Sequence, residues 1–419
     1  MVSGLTRYLN SRSQRWVARG TLVGLVVLTG PTLFVVYHVA AHFGQFGDLY
    51  GRYSNLFTLR ETGNIYSAYG IEAFTYPPSA IFLFWPLLWV PLWVLPLVWT
   101  TVSVALLVVT FAVVVRHVAN VDRARTLCVA VWLAAFCVVA VAPVTEDIWW
   151  GQTGTFLMAA ITVDFLWVRG RPKGVLVGLA TAIKIYPGLF IVTWMLRRQW
   201  REALTALATT ASTLVLALML WPSSTIAFFS SELFGGGELA RFKSGTEGIA
   251  SSSITALLMR PPFHFDNVNN FVNVMLMAAV VIAALWGGHR LWRFGYPLSS
   301  LVVVFIGTAV GAPVAWDHYF VFAPLLLLVP LEFGWRDRFA LVATVSSVVM
   351  MLPWFVLRKA GHAFWWQSLL DFASRNALLF ASLAVIVTAL GVRAPRYRDP
   401  VREVLTPVGE SDDLDRFIN

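Results

Sequence analysis

The chain has 419 residues, 58% of them hydrophobic and 13% charged, against about 25% charged in a soluble domain. Repeated apolar runs of about 20 residues exclude a soluble globular enzyme and indicate an all-α polytopic membrane protein, because lipid leaves the backbone no hydrogen-bond partner but itself. The net charge of +9 sits mostly in arginines near the ends of those runs, which reports topology and excludes a basic soluble domain for nucleic acid.

Arg7, Arg12, Arg15 and Arg19 precede the first run, roughly 20–42, so it reads as a retained anchor rather than a cleaved leader. A polar segment follows, 43–78, opening with "FGQFGDLYGRYSNLF" and its charged pair Asp48 and Arg52. Further runs are expected at roughly 79–90, 92–116, 125–143, 153–168, 174–196 and 203–221. The runs are continuous rather than alternating, against a transmembrane β-barrel. Cys128 and Cys137 share one run and read as small core residues. After a long loop, 222–268, come runs at roughly 269–287, 297–314, 318–331, 339–356 and 376–392, about twelve in all. The polar tail from Arg393, with Arg396, Arg398 and Arg402, reads as a disordered extension. The expected organisation is a basic segment 1–19, a membrane domain 20–392 and the tail 393–419.

Basic turns belong on the cytosolic side. The N-terminal arginines, His289 to Arg293, Arg336 with Arg338 and the tail therefore place both termini in the cytosol and the loops 43–78, 222–268 and 357–375 outside. Arg116, Arg123 and Arg125, and again Arg169, Arg171 and Lys173, also look cytosolic, and strict alternation cannot satisfy both clusters. Either one cluster lies on the other face, or the Pro-rich run 79–90 and the run broken at Pro187 are re-entrant.

The chain has no GxxxxGK[ST] or GxGxxG loop, no HExxH or CxxC, and no GxSxG elbow, against nucleotide-driven pumps, zinc proteases and α/β-hydrolase chemistry. The polar residues near span ends remain. Asp48 is either a solvated loop carboxylate or a base, and Arg52 either holds it or meets phosphate; a tight pair would weaken the base. "FTYPPSAIFLFWPL" places Tyr76 before two prolines that fix an extended approach to the next run. "WWGQTGTF", preceded by Glu146 and Asp147, offers Gln152 to a hydroxylated ligand, or is a capping turn using Thr145 or Asp147. Trp149-Trp150 and Trp365-Trp366 read as interfacial anchors or as the floor of a sugar site. "GLATAIKIYPGLF" places Lys184, one of four lysines, near mid-span, where a charge costs roughly 3 kcal/mol and calls for a partner, such as phosphate, or an aqueous cavity. "APVAWDHYFVFAPL" sets Asp317 and His318 at the start of a span, as an acid–imidazole pair or as a cap and an interfacial ring. In the long loop, Arg241 and Lys243 can meet phosphate and Ser251 to Ser253, Ser252 at their centre, can bond sugars.

The order of these motifs resembles the GT-C superfamily of integral-membrane glycosyltransferases and, more narrowly, glycosyltransferase family 87. The order is an outer-loop Asp, Tyr-Pro-Pro, Gly-Gln, Gly-x5-Lys-x2-Pro and Trp-Asp-His. The resemblance implies a GT-C bundle of about twelve transmembrane or re-entrant helices and a polyprenyl phosphate sugar donor. It implies transfer to a cell-envelope glycolipid or polysaccharide, with inversion and without a metal. It casts Asp48 as the catalytic carboxylate, His318 as a second catalytic residue and Lys184 as facing the donor phosphate; Arg52, Arg241 and Lys243 are further phosphate ligands on their charge. Tyr76, Gln152, Asp317, Glu146 and Ser252 become substrate contacts. Relatives more often carry an Asn two residues after the Gln, where this chain has Gly154, and a His where it has Asp317. Mannose is the expected sugar, with arabinofuranose the alternative. A transporter or flippase of a lipid-linked sugar would use the same mid-membrane lysine, but no internal inverted repeat is visible.

Overall fold

The computed structural model describes residues 20–25, 46–67, 74–233, 251–259, 270–312, 314–354 and 365–393. The principal helices are α1 (Gly47–Thr62), α2 (Leu95–Val118), α3 (Arg123–Ala140), α4 (Ala142–Trp149), α5 (Gly154–Leu166), α6 (Val175–Ile183) and α7 (Gly188–Leu196). They are followed by α8 (Trp200–Leu220), α9 (Asn270–Arg293), α10 (Pro297–Val310), α11 (Arg338–Met351) and α12 (Trp365–Gly391). Among the described residues there is no strand. Five segments, within α2, α3, α8, α9 and α12, are long and apolar enough to cross a membrane. The protein is an all-α membrane protein.

The basic turns collect at one end of the bundle. The Arg116 guanidinium lies 5.7 Å from the Trp167 ring, Lys173 donates to the Phe165 carbonyl, and Arg197 stacks 4.5 Å over Phe165. Arg197 also donates to Ser300 at the start of α10, Arg290 donates to the Val392 carbonyl, and Glu332 accepts from the Leu298 and Ser299 amides. The Gly20 carbonyl accepts from Trp132 midway along α3, and a Cβ at Gly20 would meet Cys128 in its first half. The two clusters that strict alternation could not place inside therefore share one end with the other basic turns, because α3 leaves it and α5 returns to it.

This arrangement takes the re-entrant alternative for 79–90 and for the run broken at Pro187. The expected span 174–196 is a helical hairpin. Gly174 packs on the Glu202 carbonyl, and Thr210 donates to the Gly178 carbonyl, so α6 climbs beside α8. α7 then descends to Arg197, back at Phe165. Pro187 disfavours helix at the residue before it; Lys184 is extended, at φ −138° and ψ 142°, and Pro187 caps α7. The nine residues of α6 rise about 14 Å, while the twenty-one of α8 rise about 30 Å, so the hairpin turns near mid-depth. The expected span 79–90 is likewise a broken chain of short turns (Pro78–Ala80, Ile81–Phe84, Trp85–Trp89). It stays at the far end, where Phe82 packs 5.0 Å from Trp221. The expected span 318–331 descends as 3-10 turns, Asp317–Phe320 and Ala323–Leu328.

Short helices leave amide donors unsatisfied at their N-termini. Here carboxylates from other segments serve them, Asp147 and Asp164 buried and Glu332 partly so. Asp147 accepts from the Gly154 and Thr155 amides at α5, Asp164 from Gly174 and Val177 at α6, and Glu332 from Leu298 and Ser299 at α10. Each carboxylate also complements the positive end of a helix dipole. The capping reading of the "WWGQTGTF" turn thus falls to Asp147, while Thr145 bonds back to the Val141 carbonyl.

Candidate active site

The site is built at the end opposite the basic turns, where α1 lies on the turn between α4 and α5. The Phe46 amide donates to the Trp149 carbonyl at 3.0 Å, and Phe46 takes a left-handed φ of 64°, rare for a residue with a side chain. At Gly151, φ is 67° and a Cβ would fall 2.4 Å from that of Leu49. Glycine at 151 is what lets the first turn of α1 reach this close. Asp48 lies in that turn, its side chain 45% exposed.

The Asp48 carboxylate accepts from the Gln152 amide nitrogen, and Arg52 Nη2 approaches the same oxygen at 3.3 Å. Arg52 does not point away from Asp48, but it spends its shorter bonds elsewhere: Nη1 donates to the Gly151 carbonyl at 2.7 Å and Nη2 to Gln152 Oε1 at 3.1 Å. The guanidinium is buried. It ties α1 to the 151–152 turn as much as it pairs with the acid. Trp99 closes the turn from α2, donating to the Gln152 carbonyl at 3.3 Å.

Tyr76 joins this cluster to the hairpin tip. Its hydroxyl donates to Gln152 Oε1 at 3.1 Å, and its ring lies 4.9 Å from the Arg52 guanidinium and 5.1 Å from Lys184 Nζ. The "YPP" turn that presents it is fixed by two bonds. Tyr66 donates to the Tyr76 carbonyl at 2.6 Å, and Ser79 donates to the Ala182 carbonyl at the end of α6. Lys184 Nζ also lies 4.9 Å from the Tyr319 ring and 5.9 Å from Tyr186. Among the described residues it makes no hydrogen bond and no ion pair. Three aromatic faces stabilise an ammonium at this depth and leave it able to take an anion.

Tyr319 brings in the late motif. Its ring meets that of His318 edge-on at 5.1 Å, and His318 in turn stacks with Trp316. The His318 carbonyl lies 3.3 Å from where a Gly154 Cβ would stand, and the charges of Lys184 and Arg52 both act on the imidazole. Asp317 and His318 are both buried. The Ser252 hydroxyl approaches Asp317 at 3.5 Å, and residues 251–252 bond to Ala315, so the end of the long loop docks beside the late motif.

Asp48, Arg52, Tyr76, Gln152, Lys184 and His318 thus converge, with Asp317 and Ser252 flanking them. Glu146 is half-buried on α4, next to Asp147. Arg241 and Lys243, the N-terminal arginines, the tail beyond Arg393 and the side chains of Trp365-Trp366 lie outside the described residues. Sequence reading passed over Tyr186 and Tyr319, although both stand inside its motifs, two residues after Lys184 and one after His318. Among the described residues no three metal-ligating side chains converge.

The model of glycosyltransferase family 87 matches residues 74–315, a span holding Tyr76, Gln152 and Lys184 and stopping short of His318. Three mycobacterial proteins are similar over most of their length. A polyprenol-phosphate-mannose-dependent alpha-(1-2)-phosphatidylinositol mannoside mannosyltransferase of Mycobacterium tuberculosis is 27% identical over 77% of this chain and 77% of its own. A protein of the same name from Mycolicibacterium smegmatis is 24% identical over 67% and 68%. A polyprenol-phosphate-mannose-dependent alpha-(1-2)-phosphatidylinositol pentamannoside mannosyltransferase of Mycobacterium tuberculosis is 23% identical over 82% and 78%. No solved structure matches the chain.

Proposed function

The chain belongs to glycosyltransferase family 87, and we propose that it transfers mannose from a polyprenyl phosphate to a glycolipid of the cell envelope, with inversion. The mannose donor and the phosphatidylinositol mannoside class of acceptor are what the similar proteins are named for. They favour mannose over arabinofuranose, and an enzyme over a transporter. The positive-inside rule puts the basic end in the cytosol, and with it residue 20 and Arg393; the site then faces the extracytoplasmic side.

The observation that carries the mechanism is that Asp48, half exposed and aimed by Gln152, shares the site with Lys184, whose ammonium is in no ion pair among the described residues. The acceptor hydroxyl oxygen attacks the anomeric carbon from the face opposite the phosphate. Asp48 takes the hydroxyl proton, the carbon–oxygen bond to phosphate breaks, and polyprenyl phosphate leaves with the electron pair. A β-linked donor gives an α-linked product. Asp48 contributes as general base, about 10²–10⁴-fold. Lys184 stabilises the charge developing on the phosphate, the largest class of effect in such sites. Tyr76, Tyr186 and Tyr319 keep the ammonium fixed. His318 lies against this charge and is placed to hydrogen-bond the leaving group, and Gln152 to bond a sugar hydroxyl once the acceptor displaces it from Asp48.

Membranes containing or lacking this protein, incubated in parallel with radiolabelled polyprenyl-phosphate mannose and with the arabinofuranose donor, test the reading. Label from the mannose donor is expected in a glycolipid only when the protein is present. Incorporation from the arabinofuranose donor alone, or from neither, would overturn it.

A further inference from the structure

A second cationic site, unconnected with catalysis, lies at the basic end where α7 and α9 finish and α10 begins. Arg197 is only 7% exposed, and its guanidinium stacks 4.5 Å from Phe165 and 4.9 Å from Trp292. Its one hydrogen bond is to the Ser300 hydroxyl, which already donates to the Gly288 carbonyl, and its Nε has no partner. A buried charge is ordinarily paired, yet among the described residues no carboxylate pairs with this one: Asp164 is taken up by α6, and the ion pairs present are Asp48–Arg52 and Asp122–Arg125. Beside it on the last turns of α9, His289 has a buried Nδ1 without a partner, and the charges of Arg197 and Arg293 both act on it. Arg293 is exposed. Glu332 at the start of α10 is taken up by the Leu298 and Ser299 amides, so three basic side chains meet at this junction with no carboxylate paired to Arg197 among the described residues.

We propose that the phosphate of an anionic membrane lipid docks at this junction, with Arg293 and His289 at its mouth and Arg197 as its floor. A phosphate offers enough acceptor oxygens for the unpartnered nitrogens, and arginine is suited to it. The surroundings favour a lipid headgroup over a free anion. Trp167, Trp200, Trp286 and Trp335 are exposed at this end, and tryptophans concentrate at headgroup depth. Basic pockets between helix ends at that depth are where acidic headgroups bind. The inference does not depend on the sugar or the reaction.

The test uses the purified full chain in nanodiscs of phosphatidylcholine, with or without phosphatidylglycerol, read by thermal unfolding and by native mass spectrometry of retained lipid. Phosphatidylglycerol is expected to raise the unfolding midpoint and to be retained over phosphatidylcholine. The variant His289→Gln with Arg293→Gln should lose that preference by about fivefold for each arginine charge removed. Arg197→Gln should abolish it, while Arg336→Gln at the same end should leave it intact. Equal retention of the two lipids by the wild type would refute the site. So would an unchanged preference in the double variant, or an equal loss in Arg336→Gln. A shift reproduced by inorganic phosphate alone would replace the lipid with a free anion and overturn the proposal.

Discussion

Gly151→Ala tests whether the contact of α1 with the 149–152 turn sets the catalytic geometry. The added Cβ would meet Leu49 Cβ at 2.4 Å and Leu49 Cα at 3.4 Å, where carbon atoms prefer about 3.5–4.0 Å. The turn and the first turn of α1 must therefore part by about 1 Å, and Asp48, next to Leu49, moves with them. A misplacement of that size can cost about 10²-fold in rate. The left-handed φ of 67° adds a backbone cost of about 1–2 kcal/mol for alanine. Gly170→Ala separates the two effects: its φ is also 67°, but a Cβ there meets nothing within 4 Å. In a detergent-solubilised transfer assay with a thermal melt, both variants should lose similar backbone stability. Only Gly151→Ala should lose about a hundredfold in kcat/KM beyond its stability deficit. Near-wild-type turnover by Gly151→Ala would refute the idea that this contact places the acid.

Lys184→Met should leave the protein inserted and at least as heat-stable as wild type, since it removes a mid-membrane charge worth about 3 kcal/mol. Transfer should fall about 10²–10³-fold, the usual cost of losing one transition-state electrostatic partner, with Lys184→Arg retaining more activity than Met; a Met variant of near-normal activity would remove Lys184 from the mechanism. Charge at the phosphate is assigned to Lys184 rather than to a metal, so activity should survive excess chelator; loss restored by magnesium or manganese would contradict that assignment.

Much of the site was legible because its residues are costly where they stand. A lysine in the middle of "GLATAIKIYPGLF" and an acid directly after an anchor need reasons on energetic grounds, and both converge in the structure. Tyr76 and Gln152 were marked by the prolines and glycine beside them. The re-entrant hairpin was legible only as a conflict, since 174–196 has the length and apolarity of a crossing. The clue was the basic clusters Arg116 to Arg125 and Arg169 to Lys173, which strict alternation could not place inside. Tyr186 and Tyr319 were missed because tyrosine in an apolar run is unremarkable until the tertiary fold sets it around an ammonium. The remote caps Asp147, Asp164 and Glu332 show the limit in another way. Asp147 was weighed as a cap, but the Asp164 and Glu332 bonds span ten residues or more of sequence, beyond any local capping pattern.

The claim that Asp48 is the base is tested most directly by Asp48→Asn, assayed for transfer from labelled polyprenyl-phosphate mannose alongside wild type. Asparagine keeps the size of the side chain and can still bond Gln152 and Arg52, so folding and insertion should be retained. Removing the carboxylate should lower turnover by about 10²–10⁴-fold, the contribution of a general base. An Asn variant that folds, inserts and transfers mannose at near-wild-type rate would contradict the account.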